Sequence, residues 1–309
     1  MWVKKGLIFN VEGINDWMVS HACVPTAIQV DESTIRVYYA PRNSEGKSIP
    51  TYFDVDANDP SKVKYIHKNP ILELGELGTF DDDGIMPCSA VRVSENCIYL
   101  YYVGWNPCKS VPYRNSIGLA ISNDNGLTFQ RAFKGSILER NKFEPFFTAS
   151  PFVFKEDEKW HIWYASSTGF VLVEGKPEPL YEIKYASSND GVEWERSNVT
   201  SIIPINKYEC TARPSVIKEN GIYKMWYTYR GSFDYRDGKD SYKIGYAESL
   251  DAINWTRMDL KSGIQLSEFG WDSSMQTYPS VLEIKGKRFL FYNGNGFGKT
   301  GIGLAEWKN

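Results

Sequence analysis

The sequence predicts an all-β chain folded as a five-bladed β-propeller, one domain over residues 1–309. Two recurrences and one absence carry that prediction. A proline preceded by Val24, Met86, Ser150, Arg213 or Tyr278 returns about every sixty-three residues, and each opens a short apolar run. Two further strand-like segments follow in every repeat, joined by turn residues. No helical pattern of roughly ten to fifteen residues alternates with them, which excludes an α/β fold.

The elements follow in chain order. The first repeat reads CVPTAI, then IRVYYA, then a weaker third element, IPTYFDVDANDPSKV. The second reads IMPCSAV, IYLYYVGW and IGLAISNDNGLTF, and the third ASPFVF, WHIWYAS and IKYASSNDGVEW. The fourth reads TARPSVI, IYKMWYTYRG and IGYAESLDAINW, and the fifth TYPSVL, RFLFYNGNG and a truncated IGLAEW. Between the first two strands lie DES, SEN, KEDE, KENG and KGK, which are hairpin signals. The SNDNG and SNDG stretches are structural turns leading to Phe129 and Trp194. The N-terminal GLIFN is expected beside the last blade, closing the ring. In such a ring the first strand of each blade lines the axis. The residue before each proline then sits at the axial mouth.

Composition narrows the function classes. Aromatics make up 15% of the chain, with 10 Trp and 20 Tyr, which suits β-structure and the flat apolar faces that bind sugars. The net charge of −3, without a long basic run, argues against a nucleic-acid partner. Five cysteines lack zinc-site spacing and read as small buried thiols of a reducing compartment. No stretch approaches the roughly 20 apolar residues of a membrane span, and the N-terminus lacks an apolar signal core. The expectation is a cytoplasmic protein without membrane partner, metal or cofactor. Its oligomeric state is unreadable.

An aromatic stands next to an acid upstream of each proline: Phe80-Asp81, Phe143-Glu144, Tyr208-Glu209, Trp271-Asp272 and, reversed, Asp16-Trp17. An acid that recurs in every blade has an architectural use as readily as a chemical one. The second repeat carries three, Asp81, Asp82 and Asp83, whose mutual repulsion calls for a cation, a donor or a protonating environment. Other polar residues belong to one blade only: His21, Arg42, Arg114, Arg213 and Arg230. Trp105, Tyr113, Phe147, Tyr229 and Tyr278 interleave with them. Rings, forked donors and carboxylates together suit a small sugar bearing an anionic group.

These repeats make the chain resemble the five-bladed propeller glycosidases, which include glycoside hydrolase families 32, 43, 68, 117 and 130. FDDDGIMPCSAV, SHACVPTAI and YAPRNSEGKS resemble segments of bacterial propeller glycosidases. Families 32 and 43 place catalytic Asp residues before the first two strand prolines, where this chain has Val24 and Met86. That constellation does not transfer. Families 117 and 130 carry rearranged acids, phosphate as nucleophile in the latter, and a histidine acid in the former, which directs interest to His21.

Glycoside cleavage needs an acid at the leaving oxygen and a base or nucleophile opposite. We expect Asp82 or Asp83 as one member and Glu144 or Glu209 as the other, with Glu209 held ionised by Arg213 four residues on. The expected function is a glycoside-cleaving enzyme acting on a small anionic saccharide in the axial funnel. An inverting phosphorylase is an alternative within that class. A non-catalytic sugar-binding propeller, or one recruited to nucleotide-sugar or polysaccharide-biosynthesis chemistry, is the alternative from another class, kept open by the missing acids.

Overall fold

The computed structural model describes residues 1–236 and 238–308. Five four-stranded antiparallel sheets make five blades. Blade one is Ser20–Asp31, Thr34–Arg42, Thr51–Asp56 and Val63–Ile66; blade two is Gly84–Arg92, Ile98–Pro107, Tyr113–Ser122 and Gln130–Arg131. Blade three is Thr148–Glu156, Lys159–Val173, Lys176–Ser188 and Glu195–Ile202; blade four is Cys210–Glu219, Ile222–Arg230, Lys243–Ser249 and Thr256–Arg257. Blade five takes Thr277–Ile284, Lys287–Asn293 and Ile302–Trp307 from the C-terminal end and Trp2–Phe9 from the N-terminal end. The ring-closing strand is therefore longer than GLIFN. Trp2 packs edge-on against Trp226 and Trp307, with ring centroids 5.5 and 5.2 Å away.

The first strands contact one another in sequence around the ring and enclose an axial channel. Each first strand bulges where its proline lies, at Cys23/Thr26, Pro87/Ser89, Ala149/Phe152, Ala212/Ser215 and Thr277/Ser280. A bulge needs no ladder N–H there, which is why a central strand tolerates proline. In four blades the preceding residue is left-handed: Val24 (φ 57°), Ser150 (47°), Arg213 (49°) and Tyr278 (54°). Non-glycine residues in that region cost of order 1–3 kcal/mol each. The bulge turns the side chain at that position toward the axis. The hydroxyl residues that follow the prolines bind neighbouring blades together. Ala27 N donates to Ser280 Oγ (3.0 Å), Val153 N to Ser89 Oγ (3.0 Å) and Val281 N to Ser215 Oγ (2.9 Å), while Thr26 Oγ1 donates to Pro87 O (3.2 Å).

The turns SNDNG, SNDG and SLDA that lead to the outer strands are docking points between blades. Tyr38 donates to Gly126 O (3.0 Å), Tyr101 to Gly191 O (2.8 Å) and Trp163 to Ala252 O (2.9 Å), each reaching the turn of the following blade. Gly126 has φ 79°, and a Cβ there would lie 2.0 Å from the Tyr38 hydroxyl, so the turn requires glycine twice over. Their Asp side chains accept backbone N–H groups, as Asp190 does from Val192 and Glu193 (2.8 and 2.9 Å). These are structural turns. No helix among the described residues is long and apolar enough to cross a membrane. All five cysteines are free, three of them buried.

Candidate functional site

At one end of the channel is a cavity of about 90 Å³ lined from blades one to five. Four of the five residues before the prolines, Val24, Met86, Ser150 and Tyr278, face it, as their bulges dictate. Trp105 and Tyr113, on neighbouring strands of blade two, pack with centroids 4.0 Å apart, and Phe147 continues the wall 5.6 Å from Tyr113. Tyr181 and Tyr242 complete it. No carboxylate lines this cavity among the described residues. It is an aromatic cup with hydroxyl groups, the apolar-with-few-polar character of a small-molecule site. A second cavity, of about 600 Å³, lies at the opposite end between the later residues of the same first strands.

Arg213, the fifth residue of the set, separates the two. Its side chain is 1% exposed and reaches across from blade four to blade one, where Nη2 donates to Pro25 O (2.9 Å) and Thr26 Oγ1 (3.1 Å). Nε and Nη1 have no hydrogen-bond partner among the described residues, and no carboxylate pairs with it. Burial pushes its pKa below the usual arginine range. The expected pairing with Glu209 is therefore corrected: the bulge aims Arg213 into the channel, while Glu209 lies outside it.

Arg230 stands behind the cavity wall, also 1% exposed. Its Nε donates to the Tyr181 hydroxyl (2.8 Å) and the Tyr242 hydroxyl (3.1 Å). His21 lies at the blade-one mouth with φ 63°, its Nδ1 2.8 Å from Ser20 Oγ. Burial, then the charges of Arg42 and Lys299, lower its pKa to about 4, so it is neutral at pH 7. Neither Arg42 nor Lys299 forms an ion pair among the described residues.

The recurring acids answer to architecture. Asp81 is fully buried and accepts from Tyr102 (2.9 Å), Arg131 Nε (2.8 Å) and Thr79 (3.1 Å). Glu144 is 2% exposed, accepts from Tyr164 (2.9 Å) and Ser166 (2.7 Å), and has Arg196 at 3.6 Å. Glu209 accepts a forked pair from Arg257 (2.6 and 2.8 Å) and Ile205 N (2.8 Å). Asp272 accepts from Lys4 (2.7 Å), Tyr292 (2.9 Å) and Gln276 (2.9 Å). In blades two to five an acid before the first strand meets a cation on the outermost strand. In blade one the site is apolar: Tyr39 donates to Met18 Sδ (3.6 Å), with Ile66 packed nearby. Neither Glu144 nor Glu209 lines the cavity.

A sequence signal for those cations exists. Phe129-Gln-Arg131, Trp194-Glu-Arg196, Trp255-Thr-Arg257 and Trp2-Val-Lys4 share an aromatic, one residue and a base. It places the base on the same face as the aromatic, inward toward the acid. The N-terminal segment carries the same signature as the outer strands because it is one.

The remaining candidates divide. Asp82 accepts from Gly78 N and Asn106 Nδ2 (both 2.8 Å). Asp83 is half-buried, 3.7 Å from Lys47, and its N–H donates to Trp105 O. Trp105, Tyr113, Phe147 and Tyr278 line the cavity as expected of binding residues. Arg114 is exposed beside a neighbouring cleft shared with Arg140 and Phe146. Tyr229 turns away from the cavity and lies 5.2 Å from the Arg257 guanidinium, because Thr228, one residue earlier, holds the inward face. Tyr181 and Tyr242 were not singled out from sequence: one sits in a thirteen-residue strand and the other just ahead of a strand, away from any proline repeat. Among the described residues no group of three or more His, Cys, Asp and Glu residues is disposed to hold a metal.

No protein-family profile matches the chain. It is 35% identical over 309 residues to the uncharacterized protein Rv1502 of Mycobacterium tuberculosis (strain ATCC 25618 / H37Rv), covering 100% of this chain and 99% of that one. Over 110 residues, 33% of this chain and 35% of the relative, it is 34% identical to a β-1,2-mannobiose phosphorylase of Thermoanaerobacter sp. (strain X514). Among solved structures, a glycoside hydrolase superposes with TM-score 0.75 at 16% identity, covering 99% of this chain and 91% of that one. A thermostable family-43 glycoside hydrolase superposes with TM-score 0.65 at 16% identity, covering 96% and 91%. The fold is that of the five-bladed propeller glycoside hydrolases, without assignment to one of their families.

Proposed function

The chain belongs to the family of the Mycobacterium tuberculosis protein Rv1502, and from that premise we propose that it is a glycoside-cleaving enzyme acting on a small anionic saccharide in the axial cavity. One observation carries this reading: an aromatic cup without a lining carboxylate, with Arg213 buried across the channel and Arg230 behind the wall, neither in an ion pair with an acid among the described residues. Rings supply the faces that sugars stack on. Buried guanidinium groups reward a ligand that brings negative charge.

With Glu144 and Glu209 engaged in their blades, the acid and base fall to groups near the mouth. Asp83 is the acidic-cluster member without a hydrogen-bonding side-chain donor among the described residues, and its backbone joins Trp105. His21, neutral at pH 7, is the second candidate, able to take or relay a proton. The test is a screen of aryl glycosides and glycosides of acidic sugars with the wild-type protein, Asp83→Asn and His21→Gln. Turnover lost in one of these variants with the fold intact supports the reading; no turnover of any glycoside by the wild type refutes it.

A second reading is phosphorolysis. Arg42 and Lys299 flank His21 without acidic partners, the charge pattern of an inorganic phosphate site, and the partial likeness to a mannobiose phosphorylase is in keeping with it. Cleavage that requires phosphate and yields a sugar phosphate selects phosphorolysis; cleavage indifferent to phosphate selects hydrolysis.

A further inference from the structure

We propose that the hydroxyl pair of Tyr181 and Tyr242, backed by Arg230, is an anion-recognition subsite that takes the oxygens of a carboxylate or phosphoryl group. The proposal rests on the reading of the axial cavity as the ligand site, and specifies which atoms there recognise charge.

Arg230 spends Nη1 on Gly231 O (2.7 Å) and Nη2 on Pro179 O (2.8 Å), and its face lies 3.7 Å from the centroid of Tyr235. Its single Nε–H is shared between the two phenol oxygens. Those oxygens are hydrogen-bonded to each other, so one of their two protons lies between them. The other has no acceptor among the described residues. Both tyrosines line the cavity, which leaves the remaining O–H available to an acceptor there.

Charge favours an anion over a neutral acceptor. No carboxylate pairs with Arg230 among the described residues. Glu178, the acid on the far side of Tyr235, is held by a forked pair from Arg236 (2.7 and 3.0 Å) and by the Tyr235 hydroxyl (2.5 Å). The guanidinium charge is thus buried without a hydrogen-bonded carboxylate, Glu178 acting on it only through space, and its Nε–H polarises the phenols toward donation. Burial pushes the Tyr181 hydroxyl well above its usual pKa, with Arg230 opposing, so that hydroxyl stays protonated. An oxyanion placed there would receive a charge-assisted hydrogen bond and supply the counter-charge that the wall lacks.

The experiment is calorimetric titration of the whole chain with sodium phosphate and, separately, sodium acetate, at constant ionic strength set by sodium chloride. Wild type, Tyr181→Phe and Tyr242→Phe are compared, with circular dichroism confirming their fold. One saturable equivalent is expected, weakened at least about tenfold in at least one of the two variants, the worth of one hydrogen bond to a charged group. The preferred anion tells carboxylate from phosphoryl recognition. A tyrosine ultraviolet difference spectrum on the wild type, saturating at the same affinity, provides a readout that needs no variant. No saturable binding of either anion, no tyrosine signal, or unchanged affinity in both variants overturns the proposal. Anion binding without turnover of any glycoside would refute the enzyme reading alone; turnover of neutral glycosides without anion binding would refute this subsite alone.

Discussion

Replacing Glu209 by Gln separates an architectural acid from a catalytic one. The carboxylate is 6% exposed and receives three donors, two from Arg257 and one from Ile205 N. Glutamine keeps the shape but turns an NH₂ group toward the guanidinium and removes the charge. Breaking one partner of a buried ion pair costs about 3–5 kcal/mol. Arg257 retains Asp259 at 2.7 Å and is 16% exposed, which puts the loss near the lower end, about 3 kcal/mol. With about 2.1 cal/mol/K of unfolding entropy per residue, 309 residues give about 0.65 kcal/mol/K, so the melting temperature should fall by about 5 °C. Differential scanning calorimetry reads that shift, and the turnover rate of the folded variant should stay within about twofold of wild type. A variant as stable as wild type but inactive would refute the reasoning and return Glu209 to the catalytic pair.

Arg213→Met removes two hydrogen bonds but also a buried, unpaired charge. Such apolar replacements are neutral or stabilising by about 1–4 kcal/mol, so the melting temperature should hold or rise by up to about 6 °C; a clear fall would mean that the guanidinium supports the ring. His21 and His161 both have pKa values lowered to about 4 by burial, against 6.5 unfolded. The unfolded chain therefore binds more protons between those values, and stability should decline as pH drops from about 6.5 to about 4. Melting curves across that range should flatten in His21→Gln and in His161→Gln, and an unchanged slope in both would contradict the assignment. Trp2→Ala, which empties the contact with Trp226 and Trp307, should cost about 4 kcal/mol and lower the melting temperature by about 6 °C. Limited proteolysis should then cut first in the fifth blade; a variant melting like wild type would show that the strand is held by its backbone alone.

The architecture was legible because its determinants are local and repeated. The proline at each bulge, the hydroxyl residue that follows it in four repeats (Thr26, Ser89, Ser215 and Ser280) and the SNDNG, SNDG and SLDA turns each lie within one repeat. The acid–base pairs were not, because each crosses a blade: Asp81 meets Arg131 and Glu144 meets Arg196, fifty or more residues on, and Asp272 meets Lys4 across the ring closure. The expectation for Glu209 and Arg213 assumed that neighbours four residues apart in an extended segment share a face. The bulge at Ala212/Ser215 breaks that alternation. The placement of Val24, Met86, Ser150 and Tyr278 toward the axis follows from the repeat, since the bulge at each proline fixes it. Tyr181 and Tyr242 could not be placed that way, because nothing in their local sequence says that two hydroxyls sixty-one residues apart meet over one guanidinium.

The shared fifth blade also sets an order on biosynthesis. Trp2–Phe9 is made well before Ile302–Trp307, the strand it pairs with. Blades one to four can each form as their own segments appear, whereas Trp2–Phe9 must wait, unpaired and bearing Trp2, until Ile302–Trp307 has been made. Closure of the ring is therefore a late event in the life of each molecule, and agents that capture exposed strand edges have their opportunity during that interval rather than after it.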